Sequence, residues 1–412
     1  MLSRRRFLTA LPAAGLAAAG LAGCSGDRPL RVAVVWSGDE LRRFLAVTRD
    51  YPRPVTVYSA GDNIAALLRG PSVEVSPDVA VIPRLGLLHD PAITGGIEPL
   101  ADPPPQPEFW RELVSADGRV LGAWFKIAHK SLVWHRADDG PPPPRTLDAW
   151  TTHPGRLSVG AADGWMLSDW FENVLLARSP STYRGLFSQA ELWASGEVAQ
   201  ALELLAAIWQ RGLTPERGRR ALTLQFHDSI LDVFTYRTAD LVAAPDFAWP
   251  VIARYGAAGV TAAHARFPAV AGAAAPPLVV GGDVALALNA GRPGDPDAAA
   301  FVTWLTGPDR AAGRPDPLAA WAGEGGFLAP YLPPELSPPP LREPAGEVAR
   351  GRNAQYDLSD RLIGPLAGGD GRGLWRVLTE LFTAATVARE RPAAAAAAAA
   401  DRLAETARKG AR

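Results

Sequence analysis

Short apolar runs alternate with helical stretches along the first hundred residues of the chain. The runs Leu30–Val35, Val55–Tyr58 and Val79–Ile82 are mostly apolar, and the intervening segments Asp39–Arg49 and Asn63–Arg69 have the character of helices. Nearly uninterrupted apolar strands that alternate with helices are typical of a parallel sheet covered on both faces. The pattern therefore predicts an α/β fold with a parallel sheet for this part of the chain.

The remainder of the chain continues the mixture of strands and helices. One buried helix face is marked by apolar residues at spacings of three and four: Val198, Leu202, Leu205 and Ile208. Further strands and helices are predicted, in chain order, at Asp240–Ala244, Leu278–Val280, Asp283–Asn289, Asp297–Thr306, Gly373–Arg389 and Pro392–Arg408. The sequence therefore predicts an α/β protein over most of its length.

The composition indicates a folded protein without a strong net charge. The 412 residues include 42 basic and 43 acidic residues, a formal charge of −1, and such a length is enough for more than one domain. A nucleic-acid-binding protein usually carries a basic domain, and this sequence has none. Lysine is rare, since only Lys126, Lys130 and Lys409 occur, whereas tryptophan occurs 13 times. We therefore expect no nucleic-acid partner.

The first two dozen residues have the features of an export signal. Arg4–Arg6 precede the apolar stretch Phe7–Ala22, which is shorter than the roughly 20 residues that a spanning helix needs. The basic start resembles a twin-arginine signal, and Leu21–Cys24 resembles a bacterial lipobox, in which the cysteine is lipidated. Cys24 is also the only cysteine of the chain. We expect residues 1–23 to be removed and the exported protein to be lipid-anchored on the extracytoplasmic face of the cell membrane; the alternative is an uncleaved anchor.

Seven short motifs follow one another behind this segment. They span Trp36–Glu40, Asp78–Arg84, Asp117–Gly122, Gly164–Glu172, Gly281–Ala287, Gly325–Pro330 and Tyr356–Asp360. Their order and spacing resemble those of family 1 extracellular solute-binding proteins, the carbohydrate-capturing subunits of ABC importers. The α-glucoside and oligosaccharide binders are the branch that the chain resembles most, and the resemblance covers essentially the whole mature chain.

The resemblance implies a periplasmic-binding-protein-like architecture. Such proteins have two discontinuous α/β lobes joined by a hinge, and the ligand binds in the cleft between them. We expect lobe one to comprise residues 27–122 plus 279–318, and lobe two residues 123–278 plus 319–412. The resemblance also implies a monomer that delivers its carbohydrate to ABC permease subunits with a cytoplasmic ATPase. We expect no cofactor, and the six scattered histidines indicate no metal site.

Aromatic and charged side chains near strand ends and turns are the candidate sugar-binding residues. A flat ring can cover the weakly apolar face of a pyranose, and carboxylates, arginine and backbone amides can hydrogen-bond its hydroxyls. The candidates are Trp36, Asp39, Glu40, Arg84, Trp165, Asp169, Trp249, Trp321, Gly325 and Gly326. Each has a structural alternative as a core ring, a first-turn carboxylate or a surface ion pair.

Several other residues are assigned structural positions. Trp193, Trp209, Trp304 and Trp375 lie inside predicted helices, which favours the core. Lys130 lies in a segment predicted near the hinge, where a structural role is an open alternative. Asp357 and Asp360 have the positions of turn and helix-cap residues.

Two other classes of function remain as alternatives. Paired acids could hydrolyse a glycoside, but no spacing singles out a catalytic couple, and no nucleophile elbow, metalloprotease motif or phosphate loop occurs. The same fold could also bind a non-sugar solute or act as a sensor. Amino-acid and peptide binders need fixed charges for the termini of their ligand, whereas the candidates here are aromatic and acidic. Carbohydrate capture is therefore the leading hypothesis.

Overall fold

The computed structural model describes residues 28–70, 76–289, 296–307, 316–330, 332–367 and 373–410. The export segment and Cys24 lie outside the described residues. The strands are β1 (Leu30–Val34), β2 (Val55–Ser59), β3 (Val79–Ile82), β4 (Ile97–Glu98), β5 (Ser115–Ala116), β6 (Arg119–Val120), β7 (Ala123–His129), β8 (Leu132–Arg136), β9 (Leu157–Ser158), β10 (Leu241–Ala243), β11 (Ala262–Arg266), β12 (Leu278–Leu288) and β13 (Ala354–Tyr356).

Helices cover much of the remaining chain. They are α1 (Gly38–Thr48), α2 (Ile64–Arg69), α3 (Pro91–Thr94), α4 (Glu108–Leu113), α5 (Leu147–Trp150), α6 (Gly164–Arg178), α7 (Pro180–Gly185), α8 (Gly196–Gly212), α9 (Pro215–Ala221), α10 (Phe226–Phe234), α11 (Trp249–Tyr255), α12 (Pro296–Thr306), α13 (Pro317–Gly325), α14 (Arg342–Ala349), α15 (Leu358–Arg361), α16 (Leu374–Thr386) and α17 (Pro392–Gly410). In the described part of the chain, no helix is both long and apolar enough to cross a membrane.

Two sheets organise the fold. The larger has the order β13-β12-β3-β1-β2, with β4 and β7 also paired to β12, and the smaller has the order β11-β8-β10-β9. Strand β1 is parallel to β2 and β3, as the apolar runs predict. Strand β12 lies beyond the part of the chain for which the sequence predicts a parallel sheet; it is antiparallel to β3, β4 and β7 and parallel to β13.

Strand β12 is a single strand of 11 residues where the sequence predicts two shorter ones. Its two central glycines suggest a break, but they lie inside the sheet against β7. A Cβ on Gly282 would come within 2.4 Å of the Lys126 carbonyl oxygen. The glycine therefore marks a close approach of two strands rather than the end of one.

The boundaries of the two lobes remain a prediction. The pairing of β7 and β8 shows where the chain passes between the two sheets. Strand β7, which the sequence assigns to lobe two, pairs along its length with β12 of the larger sheet. The next strand, β8, belongs to the smaller sheet. The chain therefore passes from one sheet to the other at Lys130 and Ser131, and it passes back between β11 and β12.

Tryptophans fill much of the apolar core. The predicted helix face on α8 is confirmed, since Val198, Leu202, Leu205 and Ile208 have 0% exposure. The largest fully buried side chains include eight of the 13 tryptophans: Trp110, Trp124, Trp134, Trp150, Trp170, Trp193, Trp209 and Trp321. A high tryptophan content therefore reports core packing more than ligand binding in this chain.

Candidate functional site

A cavity of about 470 Å³ lies between the larger sheet and a group of helices and turns from the second half of the chain and α6. The carboxyl ends of β1 and β3, together with β7 and β12, form one wall, and the ends of parallel strands are a common place for ligand sites. The start of α6, the turn before α11, and helices α15 and α16 contribute the other wall. The lining residues include Trp36, Glu40, Arg84, Lys126, Ala128, Lys130, Trp165, Phe247, Gly282, Asp283, Asp360 and Trp375.

Alternate residues along β7 face this cavity. Lys126 and Ala128 line it, and so does Lys130 immediately after the strand, because side chains of a strand point to opposite faces in turn. The Lys130 amide donates to the Val279 carbonyl over 2.9 Å, which continues the pairing with β12 past the end of β7. Phe125 and Ile127, at the intervening positions, are fully buried.

Lys126 is the centre of a group that we call the Lys126 cluster, with Glu40, Asp283, Phe247 and Phe327. Its Nζ donates to Glu40 Oε1 over 2.6 Å and lies 3.6 Å from Asp283 Oδ2. It also lies 4.5 Å from the ring centre of Phe247 and 4.8 Å from that of Phe327, distances typical of cation–π contacts. The ammonium is therefore held from four sides.

Burial and charge act against each other in this cluster. Burial lowers the pKa of Lys126, but attraction to Glu40 and Asp283 outweighs it and leaves the pKa above its ordinary value. Burial also raises the pKa of Glu40, and Lys126 offsets only part of that effect. Trp36 adds a hydrogen bond, its Nε1 donating to Asp283 Oδ2 over 3.2 Å. The Lys126 ammonium thus positions the carboxylates of Glu40 and Asp283, and the Trp36 indole helps to position that of Asp283.

Lys130 is the centre of a second group, the Lys130 cluster, with Asp169, Asp357 and Asp360. Its Nζ donates to Asp357 and lies 3.3 Å from Asp169 Oδ1 and 3.5 Å from Asp360 Oδ2. All four residues are buried. Asp357 also caps α15, because its side chain accepts from the Asp360 amide, as the sequence predicts.

One ammonium cannot keep three buried carboxylates ionised at neutral pH. Burial raises the pKa of Asp169 well above its ordinary value, and Lys130 offsets only part of the effect. Burial and the charge of Asp357 raise the pKa of Asp360 to about 7. Burial opposes ionisation of Asp357 too, but Lys130 and the hydrogen bond from Ser359 leave its pKa lowered. The cluster therefore retains a proton near neutral pH, and Asp360 can donate as well as accept a hydrogen bond.

Two half-buried indoles cover the side of the cavity near Lys130. Trp165, at the start of α6, lies 5.8 Å over the Lys130 ammonium and packs 5.9 Å from Phe247. A Cβ on Gly164 would lie 2.6 Å from the Cβ of Trp375, so this glycine lets the second indole approach. Trp375, which the sequence assigns to the core, lines the cavity because it lies in the first turn of α16.

The structure brings five of the sequence-predicted residues to this site. Trp36, Glu40, Arg84 and Trp165 line the cavity, and Asp169 lies behind the lining against Lys130. Trp36 presents only a small part of its ring, since 5% of its surface is exposed. Nη2 of Arg84 donates to the Ala367 carbonyl over 3.2 Å, which fixes the guanidinium at the rim.

The other predicted residues lie elsewhere. Trp321 has 1% exposure and stacks on Phe327 at 4.4 Å, so it belongs to the core. Asp39, in the first turn of α1, has its Oδ2 2.7 Å from Nη1 of Arg254 and does not line the cavity. Trp249 and Gly326 line a separate outer hollow of about 380 Å³, together with Arg43, Pro250 and Arg254.

A backbone requirement explains the glycine that follows α13. Helix α13 ends at Gly325, and Gly326 follows in the left-handed region with φ of 65°. A Cβ on Gly326 would also lie 3.1 Å from Trp249 Cδ1. Glycine therefore meets both a conformational and a packing requirement at Gly326.

Sequence reasoning missed several cavity residues, of which Lys126 is the most informative. Lysine occurs only three times in the chain, and two of its occurrences lie four residues apart in a predicted extended segment. That spacing places both on one face of a strand with Ala128 between them. Phe247, Asp283 and Trp375 had no comparable signal, since only the fold brings them to Lys126 and Trp165.

Comparison with solved structures agrees with the fold described above. The structure of the protein RafE in complex with raffinose has a TM-score of 0.71, 14% sequence identity, and coverage of 93% of this chain and 100% of that one. This likeness confirms the expected α/β fold of the periplasmic solute-binding proteins. In the described part of the chain, no group of three or more potential metal ligands is found.

The relatives found by sequence similarity are distant from this chain. No protein-family model matches the chain. The osmoprotective compounds-binding protein GgtB of Synechocystis is 26% identical over 332 residues, which are 71% of this chain and 74% of that protein. The alpha-glucosides-binding periplasmic protein AglE of Rhizobium meliloti is 26% identical over 235 residues, 48% of this chain and 51% of that protein. These similarities confirm the resemblance to carbohydrate-type solute-binding proteins.

Proposed function

We propose that the protein captures a carbohydrate in this cavity and delivers it to the permease of an ABC importer. The observation that carries the proposal is the combination of half-buried Trp165 and Trp375 with buried lysine–carboxylate clusters in one cavity. Indole faces can cover the apolar face of a sugar ring, and the clusters offer hydrogen-bond donors and acceptors to its hydroxyls. The similarity to AglE, a protein that binds alpha-glucosides, supports the same class of ligand.

The charges of the cavity favour a neutral ligand. Each lining carboxylate already has an ammonium neighbour, at 2.6 Å for Glu40, 3.6 Å for Asp283 and 3.5 Å for Asp360. An anionic ligand would meet these carboxylates, and a cationic one would meet the two lysines. A hydroxyl both donates and accepts, so it can hydrogen-bond within either cluster without an unpaired charge.

We assign ligand contacts to the predicted residues that line the cavity: Trp36, Glu40, Arg84 and Trp165. Asp169 acts through Lys130, which it contacts at 3.3 Å. Asp39, Trp249, Trp321 and Gly326 are given no contact, because none of them is in the described lining of the cavity. Gly325 stays a prediction. Lys126, Lys130, Phe247, Asp283, Asp360 and Trp375 join the contact set.

Capture proceeds by closure of the two lobes about the hinge. One wall of the cavity comes from the larger sheet and the other from α6, α15, α16 and the turn before α11, so a ligand held on one wall gains the contacts of the other only when the lobes close. This difference in contact free energy shifts the population toward the closed form. A micromolar dissociation constant corresponds to about −8 kcal/mol, which a few ring contacts and hydrogen bonds can supply.

Calorimetry with a sugar panel tests the proposal. Mono-, di- and trisaccharides are titrated into the protein, with amino acids and short peptides as competitors. Heat with at least one neutral sugar, and none with the competitors, is expected. Heat with peptides alone would favour a binder of another solute, and release of free monosaccharide during the titration would favour a glycoside hydrolase.

The second part of the proposal concerns the attachment of the protein to the cell membrane. The lipobox-like Leu21–Cys24 supports a lipid, such as palmitate, on Cys24 after export through the twin-arginine route. The mature protein then works as a monomer that the lipid tethers to the extracytoplasmic face of the cell membrane, beside its permease and ATPase. Replacement Cys24→Ser should move the protein from the membrane fraction to the soluble fraction, and continued retention would refute the lipid anchor.

A further inference from the structure

We propose that Glu172 is a positioning residue of the sugar site, which holds Asp357 and Asp360 in place for the ligand without contacting the ligand itself. This inference rests on the proposed carbohydrate function and extends it to a residue behind the cavity. Its basis is a buried carboxylate on α6 that binds the backbone of the segment from which two members of the Lys130 cluster project.

One face of α6 leads from the cavity to this carboxylate. Trp165, Asp169 and Glu172 are spaced by four and three residues, which places them on the same side of the helix. Trp165 lines the cavity, and Asp169 lies behind the lining against Lys130. Glu172 comes one turn further along and has 0% exposure. The helix therefore places a carboxylate deep behind the site, where no ligand reaches it.

The carboxylate of Glu172 binds the start of α15. Its Oε2 accepts from the Leu358 amide over 2.6 Å, and its Oε1 accepts from the Ser359 amide over 3.1 Å. The Tyr183 hydroxyl also donates to Oε2, over 2.6 Å. A buried carboxylate without such donors would be costly, and so would buried amides without an acceptor. These bonds therefore fix the position of α15 against α6.

The two aspartates of this turn depend on the same backbone. Asp357 Oδ1 accepts from the Asp360 amide over 2.8 Å and from the Ser359 hydroxyl over 2.7 Å. Its Oδ2 accepts from Lys130. Asp360 lines the cavity, with its Oδ2 3.5 Å from the same ammonium. Because a shift of this turn would move both aspartates, Glu172 sets their distance from Lys130.

The larger sheet holds the residues just before the turn. Strand β13 pairs with β12, and the Asp357 amide continues the pairing by donating to the Val280 carbonyl over 2.7 Å. The Tyr356 hydroxyl donates to the Pro83 carbonyl over 3.2 Å, immediately after β3. The chain therefore leaves the larger sheet after Asp357, and the next two amides bind Glu172. This carboxylate thus determines where the chain changes from the sheet to α6, at the edge of the cavity.

Glutamine cannot replace glutamate in this arrangement. Both oxygens of the carboxyl group accept from backbone amides, and they can do so whether or not the group carries a proton. Burial and the charges of Asp357 and Asp169 raise the pKa of Glu172 well above its ordinary value. Glutamine has the same shape but only one accepting atom, because its NH₂ group only donates. Glu172→Gln therefore leaves one amide of the turn facing a donor and should displace the turn.

Calorimetry with the tightest-binding sugar tests the inference through a double-mutant cycle. Glu172→Gln should weaken binding ten-fold or more. Asp360→Ala should weaken binding at least ten-fold in the unmodified protein but less than three-fold in the presence of Glu172→Gln, because Asp360 is then already displaced. A purely structural role of Glu172 would lower stability and leave the two losses independent.

The outcomes separate this inference from the proposed function. Independent losses, or an unchanged affinity in Glu172→Gln, would overturn the positioning role and leave the carbohydrate function intact. Failure of every sugar to bind the unmodified protein would overturn the proposed function and this inference with it.

Asp240→Asn is the matched control for the loss of a buried carboxylate. Asp240 is also buried and accepts from a backbone amide, that of Arg156 over 2.8 Å, but it precedes β10 and is not in the described lining of the cavity. Asp240→Asn should lower the unfolding free energy and change the sugar affinity less than two-fold. A ten-fold loss of affinity in this control would show that loss of any such carboxylate weakens binding, and would overturn the positioning role.

Thermal unfolding checks that each variant folds. If Glu172→Gln does not fold, Glu172→Asp decides the question, because it keeps both accepting oxygens but withdraws them by one methylene group. Glu172→Asp should weaken sugar binding at least three-fold, and full affinity in this variant would overturn the inference.

Discussion

The two lysine clusters use the same residue types with different balances of charge. Lys126 faces two carboxylates, and Glu40 keeps 26% of its side chain exposed. Lys130 faces three carboxylates, whose side chains are at most 12% exposed. The Lys126 cluster therefore has one carboxylate more than its ammonium can pair with, and Glu40 has access to water. The Lys130 cluster holds more negative charge than one ammonium can balance.

This difference gives the two ends of the cavity different chemistry. At the Lys126 end, the ammonium is a fixed donor and the carboxylates are fixed acceptors. At the Lys130 end, a proton remains among the aspartates near neutral pH, and Asp360, whose pKa is about 7, is in the lining. A buried acidic group with a raised pKa thus becomes a hydrogen-bond donor toward the ligand. Four experiments with substituted proteins sharpen the comparison, and they follow in order of expected effect.

Loss of the lysine should cost far more at Lys130 than at Lys126. Lys130→Met leaves three buried carboxylates without their ammonium, and breaking such a group typically costs about 3–5 kcal/mol of unfolding free energy. Lys126→Met should cost less unfolding free energy than that, because Glu40 keeps 26% of its side chain exposed and can turn toward water. Urea unfolding of both variants measures the difference. Equal losses would show that the two clusters do not differ in the way their burial implies.

Loss of an indole should weaken sugar binding when the ring lines the cavity but not when it lines the outer hollow. Trp165→Ala removes a ring that lines the cavity and should weaken sugar binding by well over ten-fold without unfolding the protein. Trp249→Ala is the matched control, since this ring lines the outer hollow, and it should change the affinity less than two-fold. Calorimetry with the same sugar decides. An unchanged dissociation constant in Trp165→Ala would mean that this ring does not contact the ligand.

The raised pKa of Asp360 should appear in the pH dependence of stability. Its folded pKa of about 7 exceeds the ordinary 3.8, so between these values the folded state holds a proton that the unfolded state has released. Its stabilising contribution is complete below about pH 4 and is lost as the pH rises toward 7, by at most about 1.4 kcal/mol per pH unit. Asp360→Asn removes this slope.

The measurement is the difference in unfolding free energy between the unmodified protein and Asp360→Asn from pH 4 to 8. The difference should fall with rising pH and level off above pH 7. Because the aspartates around Lys130 titrate together, the midpoint belongs to the Lys130 cluster rather than to one residue. A difference in unfolding free energy that does not change with pH would contradict the claim that the Lys130 cluster retains a proton.

The smallest effect is expected outside the cavity. Arg254 pairs with Asp39 over 2.7 Å, but 44% of the Arg254 side chain is exposed. Exposed pairs of this kind contribute about 0–1 kcal/mol. Arg254→Ala should therefore leave both the unfolding free energy and the sugar affinity nearly unchanged, as measured by urea unfolding and calorimetry. A ten-fold loss of affinity would instead give this outer pair a part in ligand capture.

The sequence predicts the frame of the fold better than the wall of the cavity. Strand β3 has its predicted bounds, and α1 and α12 begin within one residue of prediction, because periodicity and turn residues are local. Strand β12 was divided in error at its glycines, whose role is a contact with another strand. Residues at the ends of β1 and β3 were found because strand ends can be located along the chain.

Trp375, Phe247 and Asp283 could not be found in the same way. Each reaches the cavity only when distant elements pack together, as when Gly164 admits Trp375. Trp321 shows the reverse error, since its motif resembles a site while its ring stacks on Phe327 in the core. Only the two lysines carried a local signal, in their rarity and their spacing.

A crystal structure of the protein grown with its tightest-binding sugar tests the central claim most directly. We predict sugar density in the cavity, with a ring against Trp165 and hydroxyls within hydrogen-bond distance of the lysine clusters. Sugar density in the outer hollow against Trp249, with the cavity between the lysines empty, would contradict it.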